Sequence, residues 1–167
     1  MKIILIHGYK ANPQSNFFPW LKGELRKMGH EVMMPELPNA DNPDPEEWTK
    51  FLLDEVGVID DETIILGHSL GAPAALRFLE AAEAIATPRA CILVSPPWMI
   101  KNEQFRGFFL SELDFDVLMW KARRFVVIHS KDDDKIPFDH AQKYAKVLQA
   151  TLVEREGEGH YLGDKYP

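Results

Sequence analysis

A parallel β-sheet with helices on both faces is the architecture this sequence predicts, and three observations predict it. Short runs of apolar, often β-branched residues recur with little polar alternation, as in strands buried on both faces. Amphipathic stretches of helical period separate them, and strands alternating with helices wind right-handed into a three-layer sandwich. Gly8, Ser69, Ser95, Asp133 and His160 all fall just past predicted strand ends, where ligands gather in such sheets.

A chain of 167 residues suits one domain, 1–167, built on a sheet of five or six strands. With 46% hydrophobic and 27% charged residues it has the composition of a globular protein, not of a disordered chain or a fibre. The net charge of −7 and the lack of a basic cluster argue against nucleic acid as a partner. Acidic runs at 41–47, 60–62 and 132–134 would repel an anionic membrane. One cysteine, Cys91, excludes an internal disulfide and implies a reducing compartment; within Ala90-Cys91-Ile92-Leu93-Val94 it reads as a packed small hydrophobe. Four apolar residues between Lys2 and His7 are too few for a secretion signal, no run reaches membrane length, and cytoplasm is the expected location. No nicotinamide, flavin or phosphate fingerprint and no metal-ligand spacing is visible, so neither cofactor nor metal is expected.

In order, the apolar run 2–6 is the first strand, ended by Gly8. A loop over 8–15 turns at Asn12-Pro13, and a helix over 16–28 sets Phe17, Leu21, Leu25 and Met28 on one face before stopping at Gly29. Residues 31–34 form a strand closed by Pro35. Four prolines stiffen the connector to Asp44-Pro45-Glu46-Glu47, a helix start with cap, proline and glutamate in sequence. Trp48, Phe51, Leu52 and Val56 give that helix its core face. After the central strand from Thr63 and its helix come the Cys91 strand, an irregular segment over 96–121, a strand at 125–129, a helix over 139–149, a strand at 151–154 and a tail from 157 to 167.

The central stretch is Thr63-Ile64-Ile65-Leu66-Gly67-His68-Ser69-Leu70-Gly71-Ala72-Pro73, a G-x-S-x-G turn with a strand before it and a helix after it. Lifting a serine hydroxyl off a sheet edge demands so sharp a reversal that the residues two before and two after it nearly touch. Gly67 and Gly71, without Cβ, permit that approach. The following helix aims free N–H groups and its positive dipole end at the turn, which makes Leu70 N–H an oxyanion donor candidate.

Serine needs a base, and the base an orienting acid. His160, in Gly157-Glu158-Gly159-His160-Tyr161, follows the last strand; Asp132, Asp133 and Asp134 follow the one before it. The order Ser, Asp, His is that of the α/β-hydrolase sheet. Over nearly its whole length the chain resembles the small single-domain α/β-hydrolases of the YdeN and retinoblastoma-binding protein 9 family of serine hydrolases. The likeness is carried by Leu5-Ile6-His7-Gly8-Tyr9, His30-Glu31-Val32, Pro35-Glu36-Leu37-Pro38, Ile65-Leu66-Gly67-His68-Ser69 and Gly159-His160. The resemblance implies an α/β-hydrolase-like sandwich without a large cap domain and a triad of Ser69, Asp133 and His160. Asp133 is chosen because it stands three residues before Ile136-Pro137; Asp132 is the alternative, with capping of the turn as its structural role. The His7-Gly8-Tyr9 loop sets the second oxyanion donor at Tyr9 N–H, with Gly8 admitting the close approach. His7 and His68 are read as scaffold, and His129 as a residue at a strand end where glycine is common. The resemblance also implies a helix after the catalytic histidine, for which the seven residues beyond His160 leave no room; a face bare or covered by another subunit is expected.

Between Trp98 and Trp120 lie Met99, Phe105, Phe108, Phe109, Leu110, Leu113 and Phe115. They serve equally as local core or, with 97–120 as a small cap, as an apolar acyl pocket in which Gly8, Pro97, Trp98, Phe108 and Phe109 meet substrate. The expected reaction is hydrolysis of a small carboxylic ester or thioester through an acyl-enzyme on Ser69. An amide or peptide hydrolase with the same residues, or a protein-binding module on this scaffold, are the alternatives.

Overall fold

The computed structural model describes residues 1–100, 102–110 and 113–166, with the backbone alone at residue 110. Lys101, Ser111 and Glu112 of the 96–121 segment, and Pro167 of the tail, lie outside the described residues.

The apolar runs become β1 (Lys2–Ile6), β2 (Glu31–Met33), β3 (Thr63–His68), β4 (Ala90–Val94), β5 (Phe125–Ser130) and β6 (Thr151–Arg155). Among the described residues they form one sheet in the order β2-β1-β3-β4-β5-β6, and every pairing is parallel. Continuous apolar strands suit this arrangement because helices cover the sheet from both sides. The helices are α1 (Phe18–Lys27), α2 (Pro45–Val56), α3 (Gly71–Ala81), two one-turn pieces α4 (Gly107–Leu110) and α5 (Phe115–Leu118), and α6 (Phe138–Val147).

The two faces are unequal. On one, α2, α3 and α6 bury Trp48, Leu52, Leu76, Phe78 and Tyr144 against Ile4, Ile65, Leu93 and Val127. On the other, α1 alone brings Phe18, Leu21 and Leu25 onto Ile3, Leu5 and Leu66. There the tail adds Tyr161 and Tyr166, whose rings lie 4.9 Å apart with Tyr166 5.9 Å from Phe17, while Ile64, Ile92 and Ile128 stay half-buried.

Local chemistry explains the element ends. Asp44 Oδ1 accepts from the Glu46 and Glu47 N–H groups, and Pro45 opens α2. Glu47 does not return to the cap; its carboxylate takes the Asn39 amide. The first helix starts at Phe18, not at residue 16, because Asn16 has φ +54° and closes the preceding turn. Met28, expected on the core face, is 70% exposed: α1 ends at Lys27, and its C-cap residue points outward. Cys91 is fully buried, and burial pushes its thiol up to about 12, far from a reactive thiolate.

Candidate active site

Ser69, Asp133 and His160 gather with the Gly8-Tyr9 loop at the carboxyl ends of β1, β3, β5 and β6. Ser69 follows β3 with φ +53°, a left-handed conformation that a side-chain-bearing residue adopts only under constraint. The constraint is visible: its N–H donates to Val94 O at 2.9 Å, its carbonyl accepts from Ala72 N at 2.9 Å, and a glycine stands two residues away on either side. A Cβ on Gly67 would stand 2.3 Å from Gly71 O. On Gly71 it would meet not Gly67 but the carbonyls of β1, Ile6 O at 2.3 Å and His7 O at 2.5 Å. The two glycines thus let the turn close on itself and let α3 press against β1.

The Ser69 hydroxyl lies 2.9 Å from His160 Nε2, and His160 Nδ1 lies 2.8 Å from Asp133 Oδ2. The Asp133 carboxylate is wholly buried. Its other oxygen, Oδ1, accepts the N–H groups of Lys135 and Ile136, both at 2.9 Å. Burial alone would raise its pKa. The donors from His129, His160 and the Ile136 backbone, with the nearby His160 ring, outweigh that and hold the carboxyl well below the usual carboxylate range.

Asp132 faces the other way and joins two loops. Its Oδ1 accepts from Gly157 N at 2.9 Å, Gly159 N at 3.4 Å and the Ser130 hydroxyl, while Ser130 Oγ accepts from Glu158 N at 3.2 Å. The His160 loop is therefore stitched to the aspartate loop by a carboxylate that does not touch the imidazole.

Two scaffold histidines are anchored by backbone. His7 Nε2 accepts from Leu37 N at 2.9 Å, which puts the proton on Nδ1, donating to Gly8 O at 3.0 Å. His68 Nε2 donates to the carbonyl of His160 at 2.9 Å, with Phe17 and Phe18 edge-on to its ring. Burial, then the nearby His160, lower His68 from 6.5 to about 4. The unfolded chain therefore binds a proton on this ring near 6.5, whereas the folded chain does so only near 4. The stability this lends is complete above 6.5 and is lost as pH falls through that window. The denaturant midpoint should drop from neutrality to about pH 4 by an amount equivalent to on the order of 3 kcal/mol, and His68→Gln should flatten the dependence.

The cleft above Ser69 has a volume of about 360 Å³ and is walled by Gly8, Tyr9, Leu70, Ile100, Phe105 and Leu162, with Asn16 and Lys135 at its polar margin. A Cβ on Gly8 would crowd it, standing 3.0 Å from His68 O and 3.1 Å from Leu70 N. The aromatic segment lends the cleft Ile100 and Phe105, the latter edge-on to Tyr9 at 4.8 Å. The residues expected to meet substrate from that segment sit elsewhere. Trp98, Phe108 and Phe109 wall a separate apolar cavity of about 300 Å³ against α3 and α6, and the Pro97 carbonyl is taken by the Tyr144 hydroxyl at 3.0 Å. Phe108 is buried on Trp48, which makes it core. Among the described residues no group of three or more His, Cys, Asp or Glu side chains is arranged to hold a metal ion, and no helix is long and apolar enough to cross a membrane.

The model of a family described as "Serine hydrolase" matches residues 3–165 of the chain. The chain belongs to the serine hydrolase family. Within it, this serine hydrolase is 33% identical over 170 residues to YdeN of Bacillus subtilis (strain 168), covering 98% of this chain and 87% of the relative. It is 26% identical over 154 residues to the serine hydrolase RBBP9 of Rattus norvegicus, covering 90% of this chain and 80% of that one. The crystal structure of the ydeN gene product from B. subtilis superposes with a TM-score of 0.89 at 32% identity, covering 96% of this chain and 88% of that one. The fold is that of the α/β-hydrolases.

Sequence reasoning missed His129. From the sequence it is only a strand-end residue, yet its ring nitrogen lies 3.1 Å from the Asp133 carboxylate. The spacing of four between His129 and Asp133 was legible, but nothing in a strand-to-loop junction says which way the chain turns.

Proposed function

We propose that this serine hydrolase cleaves small carboxylic esters or thioesters through an acyl-enzyme on Ser69. The observation that carries the proposal is the unbroken series of hydrogen bonds from Ser69 Oγ through both nitrogens of His160 to Asp133, 2.9 and 2.8 Å long. Ser69 Oγ attacks the substrate carbonyl while His160 Nε2 takes its proton. Asp133 keeps the other proton on Nδ1 and steadies the charged ring. Collapse of the tetrahedral intermediate returns the Nε2 proton to the departing alcohol or thiol. Water, activated by the same nitrogen, then releases the acid and restores the serine.

Two backbone N–H groups serve the developing oxyanion, Leu70 at the start of α3 and Tyr9 after β1. The Tyr9 N–H shares a planar trans peptide with the Gly8 carbonyl and points opposite to it. By binding Gly8 O, His7 aims the Tyr9 N–H. Each donor should be worth about 3 kcal/mol in the transition state. An open cleft of about 360 Å³ with apolar walls suits a modest acyl group.

A fluorophosphonate probe tests this reading directly. The wild-type protein should be labelled stoichiometrically on the peptide that contains Ser69, and p-nitrophenyl acetate should be turned over in proportion to unlabelled protein. Absence of labelling, or labelling elsewhere, would overturn it. A series of acyl lengths, with matched thioesters and amides, then defines the substrate.

A further inference from the structure

We propose that His129 is a second histidine acting on the acid, a positioning residue that shares Asp133 Oδ2 with His160 and fixes the carboxylate against rotation. This rests on the reading of Asp133 as the acid of the hydrolase.

His129 is the penultimate residue of β5 and has no exposed surface. Its Nε2 lies 3.0 Å from Ile136 O and 3.1 Å from Asp133 Oδ2. A peptide carbonyl can only accept, so Nε2 carries the hydrogen; it is hydrogen-bonded to the Ile136 carbonyl and brings its positive N–H end within 3.1 Å of Asp133 Oδ2. Four N–H groups then face Asp133: His160 Nδ1, hydrogen-bonded, and His129 Nε2, at 3.1 Å, on Oδ2, with Lys135 N and Ile136 N hydrogen-bonded to Oδ1. A carboxylate has about four lone-pair positions, and here each oxygen is met by two donors. Rotation about the carboxylate axis would break at least two of these bonds, and protonation of Oδ2 would set O–H against two N–H groups. The acid must therefore stay an anion in one orientation while His160 gains and loses its proton.

Packing alone does not explain an imidazole at this position. His129 Nδ1 is buried with no hydrogen-bond partner among the described residues, and an orphaned buried nitrogen costs about 1–3 kcal/mol. An apolar side chain would fill the space beside Phe138, whose ring stands edge-on at 5.7 Å, without that penalty. What only the imidazole supplies is the N–H toward Asp133. The other charged or titratable groups nearby are already engaged: His68 with the His160 carbonyl, His140 with Trp98 N and Lys135 with Asp134.

The test compares His129→Gln with His129→Asn. Both are polar amides, but the glutamine nitrogen reaches the position of Nε2, whereas the asparagine nitrogen stops near Nδ1. Two readouts are taken. The first is the downfield proton resonance of His160 Nδ1–H, which needs no turnover. His129→Asn removes the competing donor from Oδ2, so this resonance should move further downfield; His129→Gln should leave it near the wild-type position. The second is ester kinetics: kcat should fall about 10-fold to 100-fold in His129→Asn with KM little changed, and His129→Gln should recover most of it. If the resonance stays in place in His129→Asn, or if both variants lose kcat equally, the ring is mere packing and the proposal is overturned. A wild-type protein without turnover whose His160 resonance still responds to His129→Asn would overturn the hydrolase reading and leave the coupling of His129 to Asp133 supported.

Discussion

Asp133→Asn is expected to lower kcat by about 10⁴ while leaving the protein folded and KM nearly unchanged. Both aspartate oxygens face two N–H groups, whereas an asparagine amide offers one oxygen and one NH₂. The Lys135 and Ile136 N–H groups belong to the backbone and cannot become acceptors, so the amide oxygen must stay with them. The NH₂ is then turned toward the two imidazoles. His129 cannot adapt, because its Nε2–H also serves Ile136 O. His160 can, by moving its proton from Nδ1 to Nε2, where it points at the Ser69 hydroxyl and can no longer accept from it. The loss is thus a wrong tautomer at correct distances. Asp132→Asn is the control: the Asp132 oxygen that holds Gly157 and Gly159 can be replaced by the amide oxygen, and kcat should stay within about 10-fold. Ser69→Ala should cost about 10⁶, and combining it with Asp133→Asn should cost no more, since the residues act as one unit. Steady-state kinetics on the single and double variants decide the matter, and equal losses from Asp132→Asn and Asp133→Asn would refute the assignment.

What could be read from the sequence was whatever local chemistry determines. The strands announce themselves as apolar runs, α2 by Asp44-Pro45, and the turn at Ser69 by two glycines at fixed spacing. Asp133 stood out from its two neighbours only through the resemblance, and its spacing to Ile136-Pro137 has a physical meaning: Ile136 N–H returns to the carboxylate three residues before it. Contacts across long chain separations were not legible. His68 and the His160 carbonyl are 92 residues apart, and no periodicity joins them. The aromatic segment divides between cleft and core for a related reason. Phe105 and Phe108 are three residues apart and chemically alike, yet one faces Tyr9 at the cleft and the other Trp48 in the core, because short helical pieces take their direction from the elements they pack on. Met28 lies in phase with the core face of α1, but one residue past the end of the helix, where the period no longer sets its direction.

The turn at Ser69 also dictates the largest expected effect on stability. Gly71→Ala should destabilise the protein by about 3 kcal/mol or more, lowering the melting temperature by about 10 °C, since a misfit between rigid elements has no side chain that can give way. The added Cβ would stand 2.3 Å from Ile6 O and 2.5 Å from His7 O, both backbone atoms of the strand end that α3 presses on. Relief requires α3 to slide off β1. That same slide separates Leu70 N from the Gly8-Tyr9 peptide, so activity should fall further than the loss of folded protein accounts for. Gly23→Ala, inside α1 with nothing within 4 Å of the new Cβ, should be neutral or stabilising by up to about 1 kcal/mol. Thermal melts of the two variants, alongside kcat measured well below either transition, separate a general intolerance of alanine from the specific wedge between α3 and β1. A Gly71→Ala protein that melts with the wild type would mean that the close approach of helix to strand is not what the two glycines are for.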